Sequence, residues 1–418
     1  MIYNTRNTSY HVNKKQLKEI VSISTGNRPS KDIEYGQYPY VNGGTSPSDY
    51  FSDYNSEPNA ITTPTHGEGG IGFVAFQKSR FWCGALCLRM YALSDDVNIK
   101  FIFYYLSNNK EEILSKKNYG GMPYINKMEF SRIQIPLPHI KVQEEIVKIL
   151  DSFTNLIDAL NEELSLRQKQ FEYYREKLLT FDNKVEHSTV IRKNENSSID
   201  EIDMRVNNRV EELLAHYNPD GVNNVTLSSI GDFENIGVDK KKVEGEPLVT
   251  LLNYVDVYHN KTIKKGVPKM IVSSPVNKVD KCSVEKGDIF ITPTSETVDD
   301  IGHSSLVLET LPQTVYSYHI MRYRLHDISM TTASYINQCF ETRSVKEQIL
   351  KKAQGLTRFG VSKNKFGEIE IPLPHIKVQE EIVEILDFFT NLIDALNEEL
   401  SLRQKQYEYY REKLLTFD

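Results

Sequence analysis

Several places in the 418-residue sequence carry residue types whose spacing suits chemistry. Gly67-Glu68-Gly69-Gly70-Ile71-Gly72 satisfies the G-x-G-x-x-G of a dinucleotide fingerprint, but that fingerprint must open a helix inside a βαβ unit, and Phe73-Val74-Ala75-Phe76 reads as a strand. A tight turn is expected there. Pro219-Asp220 followed by Asp239-Lys240-Lys241 has the carboxylates and lysine of a metal-dependent nuclease, yet Asp220 sits in the turn sequence Asn218-Pro219-Asp220-Gly221. Cys83 and Cys87 lack a second ligand pair at zinc-site spacing, so they read, with Cys282 and Cys339, as buried reduced thiols. The sequence has no Asn-Pro-Pro-aromatic run such as an adenine methyltransferase needs, no G-x-x-x-x-G-K-[ST] loop and no paired metal-ligand histidines. The chain is therefore expected to carry no catalytic residue, no metal and no cofactor of its own.

Contacts to nucleic acid are the chemistry that remains. Lys116, Lys117, Lys240, Lys241, Lys242, Lys261, Lys264, Lys265 and Lys269 are candidates to meet phosphates. Arg28, Asn42, Thr65, His66, Ser317, His319 and Arg358 have side chains that suit phosphates or base edges. A solvated charged face is the competing reading for any one lysine. The formal charge of −7 speaks against nucleic acid until it is divided along the chain. Residues 1–134 hold 15 basic and 12 acidic side chains and residues 222–370 hold 19 and 18, so these two blocks are mildly basic and the acidity lies elsewhere.

The elements that must position these residues repeat. Ile135 to Asp182 returns at Ile371 to Asp418, 236 residues later, with three differences in 48 positions: Lys148/Glu384, Ser152/Phe388 and Phe171/Tyr407. In the first copy Ile146, Leu150, Phe153, Ile157, Leu160 and Leu164 are spaced alternately four and three, resuming at Phe171, Tyr174 and Leu178. The second copy repeats this seam at Ile382, Leu386, Phe389, Ile393, Leu396 and Leu400, resuming at Tyr407, Tyr410 and Leu414, and both copies interrupt it with an arginine, Arg167 or Arg403. Each copy reads as one long helix beginning after Pro138 or Pro374, about 60 Å long at ~1.5 Å per residue. A hairpin of the two stems or a homodimer would each satisfy the seam. Gln143-Glu144-Glu145 and the other polar runs recur as well, which suggests an outer surface displayed twice.

The blocks before each stem mix short apolar runs and turn residues and read as α+β heads, with a helix expected over Ile102 to Ser115. They repeat loosely. Thr63-Pro64-Thr65 and Ile71-Gly72 correspond to Thr292-Pro293-Thr294 and Ile301-Gly302, and Phe81 to Arg89 parallels Tyr316 to Arg324. Between the first stem and the second head, Ile199, Ile202, Val206, Val210, Leu213 and Tyr217 trace a shorter amphipathic helix. The expected divisions are 1–138 and 222–374 for the heads, 139–182 and 375–418 for the stems, and 183–221 for the connector. No signal peptide or membrane span is seen, so a cytoplasmic protein is expected.

Two variable blocks, each followed by Ile-Pro-Leu-Pro-x-x-x-x-Gln-x-x-Ile-Val-x-x-Leu-Asp and a long helix, closely resemble the specificity subunit of type I restriction-modification systems. The resemblance covers the whole chain. It implies an α+β fold of two α/β target recognition domains separated by a two-helix antiparallel coiled coil with pseudo-two-fold internal symmetry. It also implies a double-stranded DNA target in two halves, two modification (methyltransferase) subunits on the coiled coil and restriction (translocase/nuclease) subunits in the larger complex. S-adenosylmethionine, ATP and Mg would belong to those partners. Base-reading residues vary within the family, so none is carried over. A stand-alone restriction or methylation enzyme and a coiled-coil scaffold without a DNA role are the rival readings.

Overall fold

The computed structural model describes residues 12–67, 69–118, 123–181 and 208–417. The chain divides into two compact units, and the division runs through the stems. One unit holds Met1–Glu163 with Leu396–Asp418 and the other holds Leu164–Ala395, so each contains a head, the first part of the stem that follows it and the last part of the other stem.

In the first unit, Val21–Thr25, Cys87–Ala92, Ala60–Pro64 and Ala75–Gln77 form an antiparallel sheet in that order. Ala60–Pro64 is buried throughout, as a strand covered on both faces must be. A second sheet orders Asp49–Phe51, Tyr35–Val41 and Trp82–Cys83, the last pair parallel. Lys14–Gln16 pairs with Gln134–Pro136 and so ties the start of the head to the prolines that open the stem. The helix expected over Ile102 to Ser115 is instead two, Ile99–Asn108 and Lys110–Leu114. Asn109 separates them at φ −105, ψ 44, its side-chain amide donating to the Tyr105 carbonyl, and Asn98 caps the first by accepting from Lys100 N and Phe101 N.

The second unit repeats this plan with additions. Gly231–Glu234, Met321–Leu325, Ile289–Ile291 and Ser304–Val307 form the first sheet, extended by Thr262–Ile263. Met270–Ser273, Leu248–Leu252, Leu311–Tyr316 and Ser283–Val284 form the second. Asn224–Thr226 pairs with Glu370–Pro372. The repeat of Ile71-Gly72 in Ile301-Gly302 holds in three dimensions. Both isoleucines are buried and both glycines sit near φ +88, a region that disfavours any side chain. The parallel of Phe81–Arg89 with Tyr316–Arg324 is shifted by two residues. Each stretch is two strands joined by a turn, and register matches Arg89, opposite Ser24, with Arg322, opposite Glu234. Each arginine also binds that partner through its side chain.

The stems are the continuous helices Ile140–Leu179 and Ile376–Leu415. Seam residues are buried or half-buried along both, and the exception, Tyr410, lies over Phe153. In the first unit Phe153 stacks on Tyr410 at 5.4 Å, and Leu415 joins the core of Leu17, Phe101 and Ile146. In the second, Tyr174 stacks on Phe389 at 5.1 Å, and Leu179 joins the core of Leu227, Phe366 and Ile382. Early residues of one stem thus meet late residues of the other in both units, which is antiparallel packing. Residues 208–217 of the connector are helical, whereas Ile199, Ile202 and Val206 lie outside the described residues. This helix sits on the shoulder of the second stem. Arg209 pairs with Glu381 at 2.8 Å, Tyr217 stacks on His375 at 4.4 Å, and Val378 is fully buried while its counterpart Val142 is 44% exposed. Among the described residues no helix is long and apolar enough to cross a membrane, and no cluster of metal-ligating side chains occurs.

Candidate nucleic-acid interface

Four loops and a short helix of the second head surround a cleft of about 490 Å³ lined by Lys240, Tyr254, Tyr258, Thr294, His319 and Arg358, among others. Each side chain is held by its element. Thr294 follows the strand Ile289–Ile291 through Thr292, whose hydroxyl accepts from His303 N at 3.0 Å. His319 rides the turn between Leu311–Tyr316 and Met321–Leu325, where its N–H reaches Ser317 Oγ at 3.3 Å. Arg358 stands on a hairpin closed by reciprocal backbone bonds between Gln354 and Gly360, its Nη2 3.4 Å from Thr294 Oγ1. Tyr254 and Tyr258 stack on the helix Tyr254–His259, which Asn253 caps. An adjoining hollow adds Asn235, Tyr318 and Lys363 around the same His319 and Arg358.

The cleft carries two cations, Lys240 and Arg358, and two carboxylates, Glu296 and Asp300. Burial pushes the His319 imidazole below its usual range, and the neighbouring Lys240 and Arg358 push it the same way, which favours the uncharged ring. Two permanent cations therefore flank a neutral donor and acceptor. Asp300 is held down by hydrogen bonds from Thr297 and Tyr258 despite some desolvation. Lys241 pairs with Asp239 at 2.7 Å.

Of the residues singled out in the sequence, the structure gathers Lys240, His319 and Arg358. Ser317 is fully buried, so its hydroxyl shapes the turn and faces no ligand. Lys261 is engaged with the largely buried carboxylate of Glu341, which also binds Lys346. Lys242, Lys264, Lys265 and Lys269 are exposed and absent from the cleft lining, although Lys269 lies near enough to act on the Asp256 carboxyl, as Lys240 does. Tyr254, Tyr258, Thr294, Tyr318 and Lys363 were not singled out. Thr294 carried a signal, being the counterpart of Thr65 in the loose repeat.

The same loops meet in the first head. Asn42 Oδ1 accepts from Leu86 N at 2.9 Å, and Thr65 Oγ1 donates to Leu86 O at 3.0 Å while lying 2.8 Å from His66 Nδ1. Asn42, Thr65 and His66 are thus brought together around the turn after Cys83. Thr65 is only 6% exposed and, like Ser317, serves the turn. The His66 ring stacks on the exposed Tyr124. Lys117 pairs with Ile125, whose N–H bonds Thr65 O, so the half-buried Lys116 and Lys117 lie on the adjoining hairpin. Arg28 is exposed on the loop after Val21–Thr25, where its charge opposes the upward push of burial on the Tyr40 hydroxyl.

Comparison with known proteins follows the same division into two. A family described as type I restriction modification DNA specificity domain matches residues 11–166 and again 219–402. A putative type I restriction enzyme specificity subunit of Haemophilus influenzae is 28% identical over 425 residues, covering 96% of this chain and 95% of that protein. The EcoR124I/EcoR124II specificity subunit of Escherichia coli is 25% identical over 334 residues, 76% of this chain and 71% of that one. The crystal structure of a type I restriction-modification S subunit from M. genitalium superposes with a TM-score of 0.63 at 18% identity, covering 98% of both chains.

Proposed function

The chain belongs to the type I restriction modification DNA specificity family, and from that membership we propose that each head reads one half of a split double-stranded DNA target. The observation that carries this reading is the contrast between heads and stems. Corresponding loops converge in both heads but present different side chains, His66 bridged to Tyr124 in one where Ser295 pairs with Phe359 in the other, whereas the stems differ at three positions of 48. Phosphate contacts position such a protein and base contacts specify its site, so diverged loops on common stems fit two different half-sites and one kind of partner.

The stems dock two modification subunits, and their outer faces support this. Leu166 and Tyr173 on one stem, and Leu402 and Tyr409 on the other, are large apolar side chains left between 37% and 57% exposed. Restriction subunits join that complex. S-adenosylmethionine, ATP and Mg bind to the partners, and this chain is a non-catalytic recognition subunit acting on DNA in the cytoplasm. The continuous stems set the unread gap between the half-sites, since helix length is fixed at ~1.5 Å per residue.

Exchanging residues 222–370 for the corresponding block of a relative tests the reading, with methylation mapping of cells carrying the partner subunit. One half of the methylated sequence should change while the other stays. A change in both halves, or in neither, overturns independent reading by the heads.

A further inference from the structure

Leu356 is the most exposed large apolar side chain among the described residues, at 95%. Its loop is well braced. Gln354 N–H donates to Gly360 O at 2.9 Å and Gly360 N–H to Gln354 O at 2.8 Å, and Phe359–Gly360 pairs antiparallel with Thr294–Ser295 on the wall of the cleft. Gly355 lies at φ +141, and a Cβ there would come within 2.0 Å of the Arg358 carbonyl oxygen, so the tight turn beside Leu356 admits only glycine. The hairpin therefore projects an apolar knob two residues from an exposed guanidinium, next to a cleft lined with Lys240, His319 and stacked tyrosines.

A braced apolar tip beside an exposed guanidinium suits a seat that is apolar at its centre and anionic beside it. A step between stacked base pairs, flanked by phosphates, has that form. Apolar side chains inserted at such steps unstack them and kink the duplex, and the cost of doing so depends on the sequence. Resting on the reading of the second head as a half-site reader, we propose that Leu356 is a wedge that enters one base step of that half-site. It makes the step's deformability part of what is recognised, while Arg358 and Lys240 hold the adjoining phosphates.

The test uses the complex of this chain with its modification subunit and duplexes of the mapped target. 2-Aminopurine replaces bases one at a time in the second half-site, the methylated adenine excepted. Binding of the wild-type complex should raise fluorescence several-fold at one step, and Leu356→Met should keep that rise. Leu356→Ala should abolish it and weaken target binding about tenfold, with melting and non-specific binding unchanged. Leu356→Lys should tighten non-specific binding through a new phosphate contact and still give no rise. Specific binding without a rise at any step, or a Leu356→Ala complex that keeps both the rise and the affinity, overturns the wedge. A complex whose footprint does not cover the second half-site overturns the reading beneath it.

Discussion

Gln143 and Gln379 show how one side chain can be misread when the pattern around it is read well. The recurrence of Gln143-Glu144-Glu145 suggested an outer surface, but Gln143 and Gln379 are both fully buried, while Glu144 is exposed. Gln143 Nε2 donates to Pro138 O and Asp96 O, and its Oε1 accepts from Asn98 N; Gln379 makes the same kind of clamp to Pro374 O, Met330 O and Thr331 Oγ1. Each fastens a stem to the loop that starts a helix of its head. The signal was present, because Gln143 lies three residues before Ile146, in phase with the seam. Gln143→Ala strands three backbone groups and should lower the unfolding free energy by about 2–4 kcal/mol in denaturant titrations, against within about 0.5 kcal/mol for Glu144→Ala. Glu341 makes a second prediction. Burial would raise its carboxyl, but Lys261 and Lys346 prevail and hold it down at about 2. A folded value below the unfolded one, about 4.3, stabilises the protein above that pH and is lost as pH falls through the range between them. Melting followed from pH 6 to pH 3 should therefore fall more steeply for the wild type than for Glu341→Gln, a contribution of up to about 3 kcal/mol.

The stems were legible because their periodicity survives in any context, and the register of the heads was not, because it depends on turns of different length. Arg89 was matched with Arg324 on spacing alone, whereas the sheets match it with Arg322. The candidate interface was half legible for the same reason. Lys240, His319 and Arg358 could be singled out by type, but Tyr254 and Tyr258 become relevant only when the fold brings their helix to the Thr294 loop. Leu160 and Leu396 are half-buried seam residues of the first unit. Leu160→Asp combined with Leu396→Asp places unpaired charges in that seam and should lower both helical circular dichroism and melting temperature. Unchanged melting would mean the seam contributes nothing. Equal sequences also need not present equal surfaces. The connector helix covers Val378 and Glu381 on one stem, and among the described residues nothing equivalent covers Val142 and Glu145 on the other. A partner that meets both stems therefore meets two different shoulders.

Each compact unit borrows the end of the stem that belongs to the other head, so neither head with its own stem is a finished unit. The two stacked pairs make the consequence concrete. Phe153 and Phe389 are counterparts, as are Tyr174 and Tyr410, so Phe153 on Tyr410 and Tyr174 on Phe389 are one contact made twice. Residues 1–182 alone contain both members of that contact, and one copy cannot satisfy itself. Two copies can, each lending Tyr174 to the other's Phe153. Residues 1–182 should therefore run as a dimer in light scattering after size exclusion, and Tyr174→Asp should leave monomers. A dimer of identical halves has an exact two-fold axis, and a two-fold reader matches DNA that is the same on both strands. With its modification partner, the half-chain should methylate a palindrome built from the first half-site and its inverted copy, so the asymmetry of the natural target would be a property of the covalent join between two unlike halves.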